Sequence, residues 1–122
     1  MGAPLPGQIW RLTELTEDMG RFSTLIGDYA ARPGTPKSES ISLHIFRLPA
    51  GEDDEQHPHR EDKLYYVLSG RRTLVIDHPD GVSERTPVGP GDAIWIPAKA
   101  RHRFDGSHEM VLLVVFTPSF TG

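Results

Sequence analysis

Eleven prolines and twelve glycines punctuate this 122-residue chain, and the apolar runs left between them are short. Proline and glycine interrupt regular structure and favour turns, so the rhythm predicts many short strands joined by tight connections. The expected strands are Ile9–Leu15, Arg21–Ile26, Ile41–Leu48, Lys63–Ser69, Thr73–Asp77, Val82–Pro87, Ala93–Ile96, Arg101–Phe104 and Met110–Phe116. Turns are expected at Pro49-Ala50-Gly51, Ser69-Gly70 and Gly89-Pro90-Gly91-Asp92, and His78-Pro79-Asp80-Gly81 reads as a hairpin loop. Arg32 to Ser40 reads as an exposed loop. The best helical spacing is Leu12 to Met19, and it is poor.

The last expected strand is apolar from Val111 to Phe116 without alternation, so both of its faces should be buried. Closed or double-sheet architectures accommodate such a strand and also remove the exposed edges of a chain built from short strands. The expectation is therefore all-β: a single-domain antiparallel β-barrel or jelly roll over residues 1–122. Residues 1–40 would supply N-terminal strands and a loop, and residues 41–118 the barrel proper.

Thirteen Lys and Arg against seventeen Asp and Glu give a formal charge of −4. That balance offers no basic surface for nucleic acid or for an anionic membrane. No apolar run approaches the ~20 residues that span a bilayer. The segment MGAPLPGQIWRLTEL lacks a basic region followed by an apolar stretch, so the cytoplasm is the expected location. Cysteine is absent, which rules out thiolate zinc sites and iron–sulfur clusters and leaves His, carboxylates and water as ligands.

Of six histidines, His57 and His59 are two apart and share a face if the chain is extended there. Pro58 between them restricts the backbone toward that geometry. Two imidazoles so placed can each reach one metal ion at about 2.1 Å. The pair alone suits a surface or capping role better than a ligand role.

The surrounding frame adds to it. Gly51, five residues, His57, one residue, His59, three residues, Lys63, six residues and Gly70 form one pattern. Gly91, five residues, Pro97 and His102 form a second, and LYYVLSG and PGDAIWIPAKARH lie around and between them. From Ser42 to Thr117 the chain resembles the cupin family, whose two motifs have these spacings. The resemblance implies a cupin barrel holding one divalent metal ion through His57, His59 and His102. The family's fourth ligand, a glutamate, falls on Lys63. Lys99 stands where the second motif has a glycine, and Gly106 where it has an asparagine.

An ammonium about 5 Å from a dication would meet several kcal/mol of repulsion at an effective dielectric near 20. Lys63 could turn away toward Glu61 or Asp62, stay inside with a lowered pKa, or occupy the space of the metal. A shifted loop could instead bring in Glu61 as a fourth ligand. Three neutral histidines and water suit zinc, iron, nickel or copper.

The resemblance implies a metal-dependent enzyme acting on a small organic substrate, with dioxygenase-like or isomerase- or lyase-like chemistry. Lys63 would be the candidate catalytic acid or base. The alternative is a non-catalytic, small-ligand-binding cupin, metal-free because of Lys63. Phe104, His44, Phe46, Tyr66 and Trp95 are candidate pocket residues. His78, His108 and the acidic run Glu52 to Glu55 read as solvated. Small cupins pair through sheet faces, so a homodimer is expected.

Overall fold

The computed structural model describes residues 7–15, 20–55 and 58–122. Within them the short apolar runs form eight strands: β1 Phe22–Ile26, β2 Ser42–Leu48, β3 Asp62–Ser69, β4 Arg72–Asp77, β5 Ser83–Val88, β6 Ala93–Ile96, β7 Arg101–Asp105 and β8 Met110–Thr117. A five-stranded antiparallel sheet runs β1-β2-β8-β3-β6 and a three-stranded sheet runs β5-β4-β7. Inward residues of both, among them Val67, Leu112 and Phe116 from the larger and Leu74, Val88 and Phe104 from the smaller, share one core cluster. The result is a jelly-roll sandwich of two separate hydrogen-bonded sheets.

The hairpin at His78–Gly81 forms as expected. The His78 N–H donates to the Val82 carbonyl at 2.9 Å, and that of Gly81 to the His78 carbonyl at 3.0 Å. Between β3 and β4, Gly70 has φ +84°. A Cβ there would lie 2.0 Å from the Glu109 carbonyl oxygen, so only glycine fits.

The expected strand Ile9–Leu15 does not form. Leu12–Leu15 is instead one helical turn, α1, and the Glu14 N–H donates to the Arg11 carbonyl at 2.9 Å. Trp10 and Leu12 pack on Leu25, Ile45 and Val111, covering part of the outer face of the five-stranded sheet. That burial needs two side chains on one side and no ladder, so the segment follows its local turn rather than a strand. Residues 16–19, the remainder of the helical candidate, lie outside the described residues. No helix among the described residues is long and apolar enough to cross a membrane.

Two buried polar groups tie the loops to the sandwich. Arg72 donates to the carbonyls of His108 at 2.8 Å, Glu52 at 2.9 Å, Pro49 at 3.1 Å and Phe104 at 3.3 Å. It thereby fixes the segment that carries the acidic run. His44, fully buried, lies within a directional chain. The Thr24 hydroxyl donates to the Tyr29 carbonyl at 2.6 Å, so it accepts from Nδ1–H of His44 at 3.0 Å. The Phe120 N–H donates to the Ser42 hydroxyl at 2.9 Å, leaving that hydroxyl to donate to His44 Nε2 at 2.8 Å. One neutral imidazole thus links β1, β2 and the C-terminal segment.

Truncation of Ser42 to Ala leaves His44 Nε2 and the Phe120 N–H buried without partners. It should cost about 1–3 kcal/mol in urea unfolding. Burial lowers the His44 pKa from 6.5 to about 4. The unfolded chain therefore takes up this proton first, and the neutral-imidazole contribution is complete above pH 6.5. It falls as the pH drops from 6.5 toward 4, by up to about 3 kcal/mol. His44→Gln should flatten the measured stability–pH curve across that window, leaving the slope contributed by His102.

Candidate active site

The alternation of β3 turns Lys63, Tyr65 and Val67 inward and Leu64 and Tyr66 outward. Lys63 pairs across to Phe116 and Tyr65 to Val114 on β8. These side chains meet Phe46 and Leu48 of β2 to line a cavity of about 730 Å³. Phe22, Tyr29 and Phe120 complete an aromatic wall. Arg21 and the run Glu52 to Glu55 stand at its polar side. Phe116 and Phe120 stack at 4.4 Å, and the His59 ring meets Phe120 edge-on at 5.2 Å.

Phe120 reaches the wall because the C-terminal segment folds back over the sheet. The Ser119 hydroxyl contacts the carbonyls of Ser38 and Ile41, and the Phe120 N–H is held by Ser42. His59 is held from the other side. The Lys99 N–H donates to its carbonyl at 2.6 Å. Lys99 has φ +68°, which explains the glycine usual at this motif position: a β-carbon here costs about 1 kcal/mol.

Lys63 is only 3% exposed, and its ammonium lies 5.8 Å from the centre of the Phe116 ring. Desolvation lowers its pKa from 10.5 to about 8, against the opposing pull of Asp54 and Glu61. Asp54 also caps β7 by accepting the Phe104 N–H at 2.8 Å. Lys63 is thus inside, with its proton loosened, rather than turned away.

His102 is buried, and its pKa falls to about 4 through desolvation first and then the charge of Lys63, with a smaller contribution from His59. Its Nδ1 faces the Ala100 carbonyl at 3.4 Å and its Nε2 the Tyr65 hydroxyl at 3.1 Å. The neutral ring thus turns a lone pair toward Tyr65, and Tyr65 separates it from the cavity. A backbone carbonyl on one nitrogen with the other directed inward is how a ligating histidine is commonly held. So held, this one imidazole can donate to a divalent ion. His57 lies outside the described residues. Among the described residues no three His, Asp or Glu side chains form a metal cluster.

Other expected site residues are distributed unevenly. Phe46 lines the cavity, whereas His44 and Phe104 lie beneath it in the core. Tyr66 and Trp95, 44% and 64% exposed, are on the outer face, which corrects their expected place in the pocket. Each is one residue away from an inward neighbour, Tyr65 and Ile94 or Ile96. Glu61 is buried with one oxygen 3.6 Å from Arg60 Nε, and it is not among the cavity-lining residues. The acidic run borders the cavity, and Glu52 pairs with Arg21.

The lowered Lys63 pKa has a measurable consequence. The unfolded chain holds this proton up to about pH 10.5 and the folded chain to about 8, so the charged form penalises folding fully below pH 8. Stability attributable to Lys63 should rise from pH 8 to 10.5, by about 3 kcal/mol. Lys63→Met should be more stable than the parent at neutral pH. Its advantage should shrink across that window when the two are unfolded in urea side by side.

A cupin-domain family model matches residues 44–116, more than half of the chain. An uncharacterized protein of Streptomyces coelicolor is 34% identical over 103 residues, covering 80% of this chain and 93% of that protein. Acireductone dioxygenase of Bacillus velezensis is 31% identical over 109 residues, covering 82% of this chain. The chain spans 61% of that enzyme. Oxalate decarboxylase of Bacillus subtilis, a protein with Mn(II) centres, superposes with a TM-score of 0.60 at 29% identity. That match covers 69% of this chain and 23% of the decarboxylase. With its sandwich, its two motifs and a family match over residues 44–116, the chain belongs to the cupin family.

Proposed function

We propose that this cupin domain is a metal-dependent enzyme for a small organic substrate, with His57, His59 and His102 holding one divalent ion. The observation that carries this reading is the convergence of His59, Lys63 and Tyr65 on one aromatic-walled cavity, with the neutral His102 directly behind Tyr65. The likeness to an acireductone dioxygenase supports an enolisable, oxygen-rich substrate class, with isomerase- or lyase-like chemistry as the nearest alternative.

Iron, zinc, nickel or copper would supply Lewis acidity and open positions for an oxygen-bearing ligand. The chain supplies the rest. Phe22, Phe46, Phe116 and Phe120 exclude water. The Lys63 ammonium anchors an anionic oxygen. With a pKa near 8, its Nζ can also give up or take back a proton close to neutral pH. The Tyr65 hydroxyl holds His102 in one orientation.

Lys63 also favours a second reading, a metal-free cupin that captures a small anionic ligand, since its charge opposes a cation in the cavity. We further propose a cytoplasmic homodimer. The exposed Leu64, Tyr66 and Trp95 on the outer face of the five-stranded sheet support pairing with a second copy.

Metal content separates the two functional readings. Protein purified without chelators should carry near-stoichiometric metal by mass spectrometry, and a His57→Ala, His59→Ala double variant should lose it. Absence of metal in the parent, before and after reconstitution, would leave the anion-binding reading.

A further inference from the structure

The amine of Lys63 is buried, yet among the described residues no carboxylate forms an ion pair with it. The chain's other lysines lie outside. Lys37 pairs with Asp28 at 3.3 Å on the surface, and Lys99 is exposed. Only Lys63 opens on the cavity of about 730 Å³, where its Nζ stands 5.8 Å from the centre of the Phe116 ring. A primary amine that is out of bulk water and faces a cavity of substrate size is placed as a nucleophile as well as an acid or base.

The lining selects the electrophile that would suit it. Phe22, Phe46, Phe116 and Phe120 are apolar and keep water from hydrolysing a condensation product. The run Glu52 to Glu55 stands at the border, and Arg21 beside it is already paired with Glu52. That excess of carboxylate turns away carbonyl compounds that themselves carry a carboxylate or phosphate. Burial disfavours the Lys63 ammonium and lowers its pKa to about 8, so about a tenth is free amine at pH 7. An uncharged product removes the buried charge altogether. A 1,3-diketone gives such a product, because its imine rearranges to a neutral enaminone.

We propose that Lys63 is a covalent site, condensing through Nζ with small uncharged carbonyl compounds, 1,3-diketones above all. Nζ adds to the carbonyl carbon, and the carbonyl oxygen takes one proton from nitrogen to give a carbinolamine. The C–O bond then breaks, and the oxygen leaves as water with the second nitrogen proton. With a 1,3-diketone, transfer of a proton from the central carbon to nitrogen completes the enaminone. Asp54, on the same lining, is placed to relay these protons. The steps consume no oxidant or reductant. The inference goes beyond the metal-dependent reading and does not require it, since the amine and the cavity suffice.

The test is acetylacetone added to the protein at pH 7, followed by near-ultraviolet absorption, intact mass and peptide mapping. Parent protein and Lys37→Arg should each gain one adduct, with the mass of the probe less one water, and the absorption band of an enaminone. The adduct should map to Lys63. Lys63→Met and Lys63→Arg should lose both signals. Labelling of Lys63 should outpace that of Lys99 by at least about tenfold, since far more of the buried amine is neutral at this pH. No adduct, or one on Lys37, Lys99 or the N-terminal amine that survives in Lys63→Met, would overturn the proposal. Acetopyruvate, a carboxylated analogue, should label several-fold more slowly, and equal labelling would overturn the uncharged class. Chelator-treated protein should label as readily as untreated protein, so the fate of the metal reading is measured separately.

Discussion

Strand β8 is hydrogen-bonded on both sides, to β2 over Ser42–Leu48 and to β3 over Asp62–Ser69, and its register with both determines what enters the cavity. Val114 faces His44 on one side and Tyr65 on the other. Phe116 faces Ser42 and Lys63. A slip of one residue between β3 and β8 would turn Lys63 and Tyr65 out and bring Leu64 and Tyr66 in. The alternative is costly because Val67, Leu112 and Phe104 are fully buried in the layer these residues share. The site is thus a by-product of core packing: the same alternation that fills the sandwich presents a lysine and a tyrosine to its open end.

Much of this was legible from residue spacing. Turn residues bounded seven of the inner and edge strands and β8 to within a residue or two, since glycine and proline act locally. Ile9–Leu15 was not legible, because nothing local distinguishes Trp10 and Leu12 packing as a strand from their packing beside a single helical turn. In the site, period two should have selected Tyr65 once Lys63 was placed inside. Tyr66 looks equivalent only if the period is ignored, and Trp95 fails by the same step between Ile94 and Ile96. Phe22, Tyr29 and Phe120 belong to a different case. They reach the cavity through the His44 hydrogen-bond chain and the return of the C-terminal segment, contacts made across long stretches of sequence. No spacing rule reports them.

Lys63 exerts two opposing influences on the centre. Its charge helps to keep His102 neutral well into the acid range, which preserves a lone pair on Nε2. The same charge opposes a cation placed nearby. Magnitudes decide between them. A dication about 5 Å from the ammonium meets several kcal/mol of repulsion at an effective dielectric near 20. Removing the Lys63 proton at pH 7, from a group of pKa about 8, costs only about 1.4 kcal/mol. Deprotonation is the cheaper course. For the proposed metal site, a lysine here is therefore an obstacle that deprotonation can lift near neutral pH, provided its burial holds its pKa down. If the proposed ion were to bind, its entry and the loss of this proton would be one linked event. The amine left behind would be neutral, solvent-poor and positioned over Phe116, suited to the proposed role of a base on a ligand sharing the cavity.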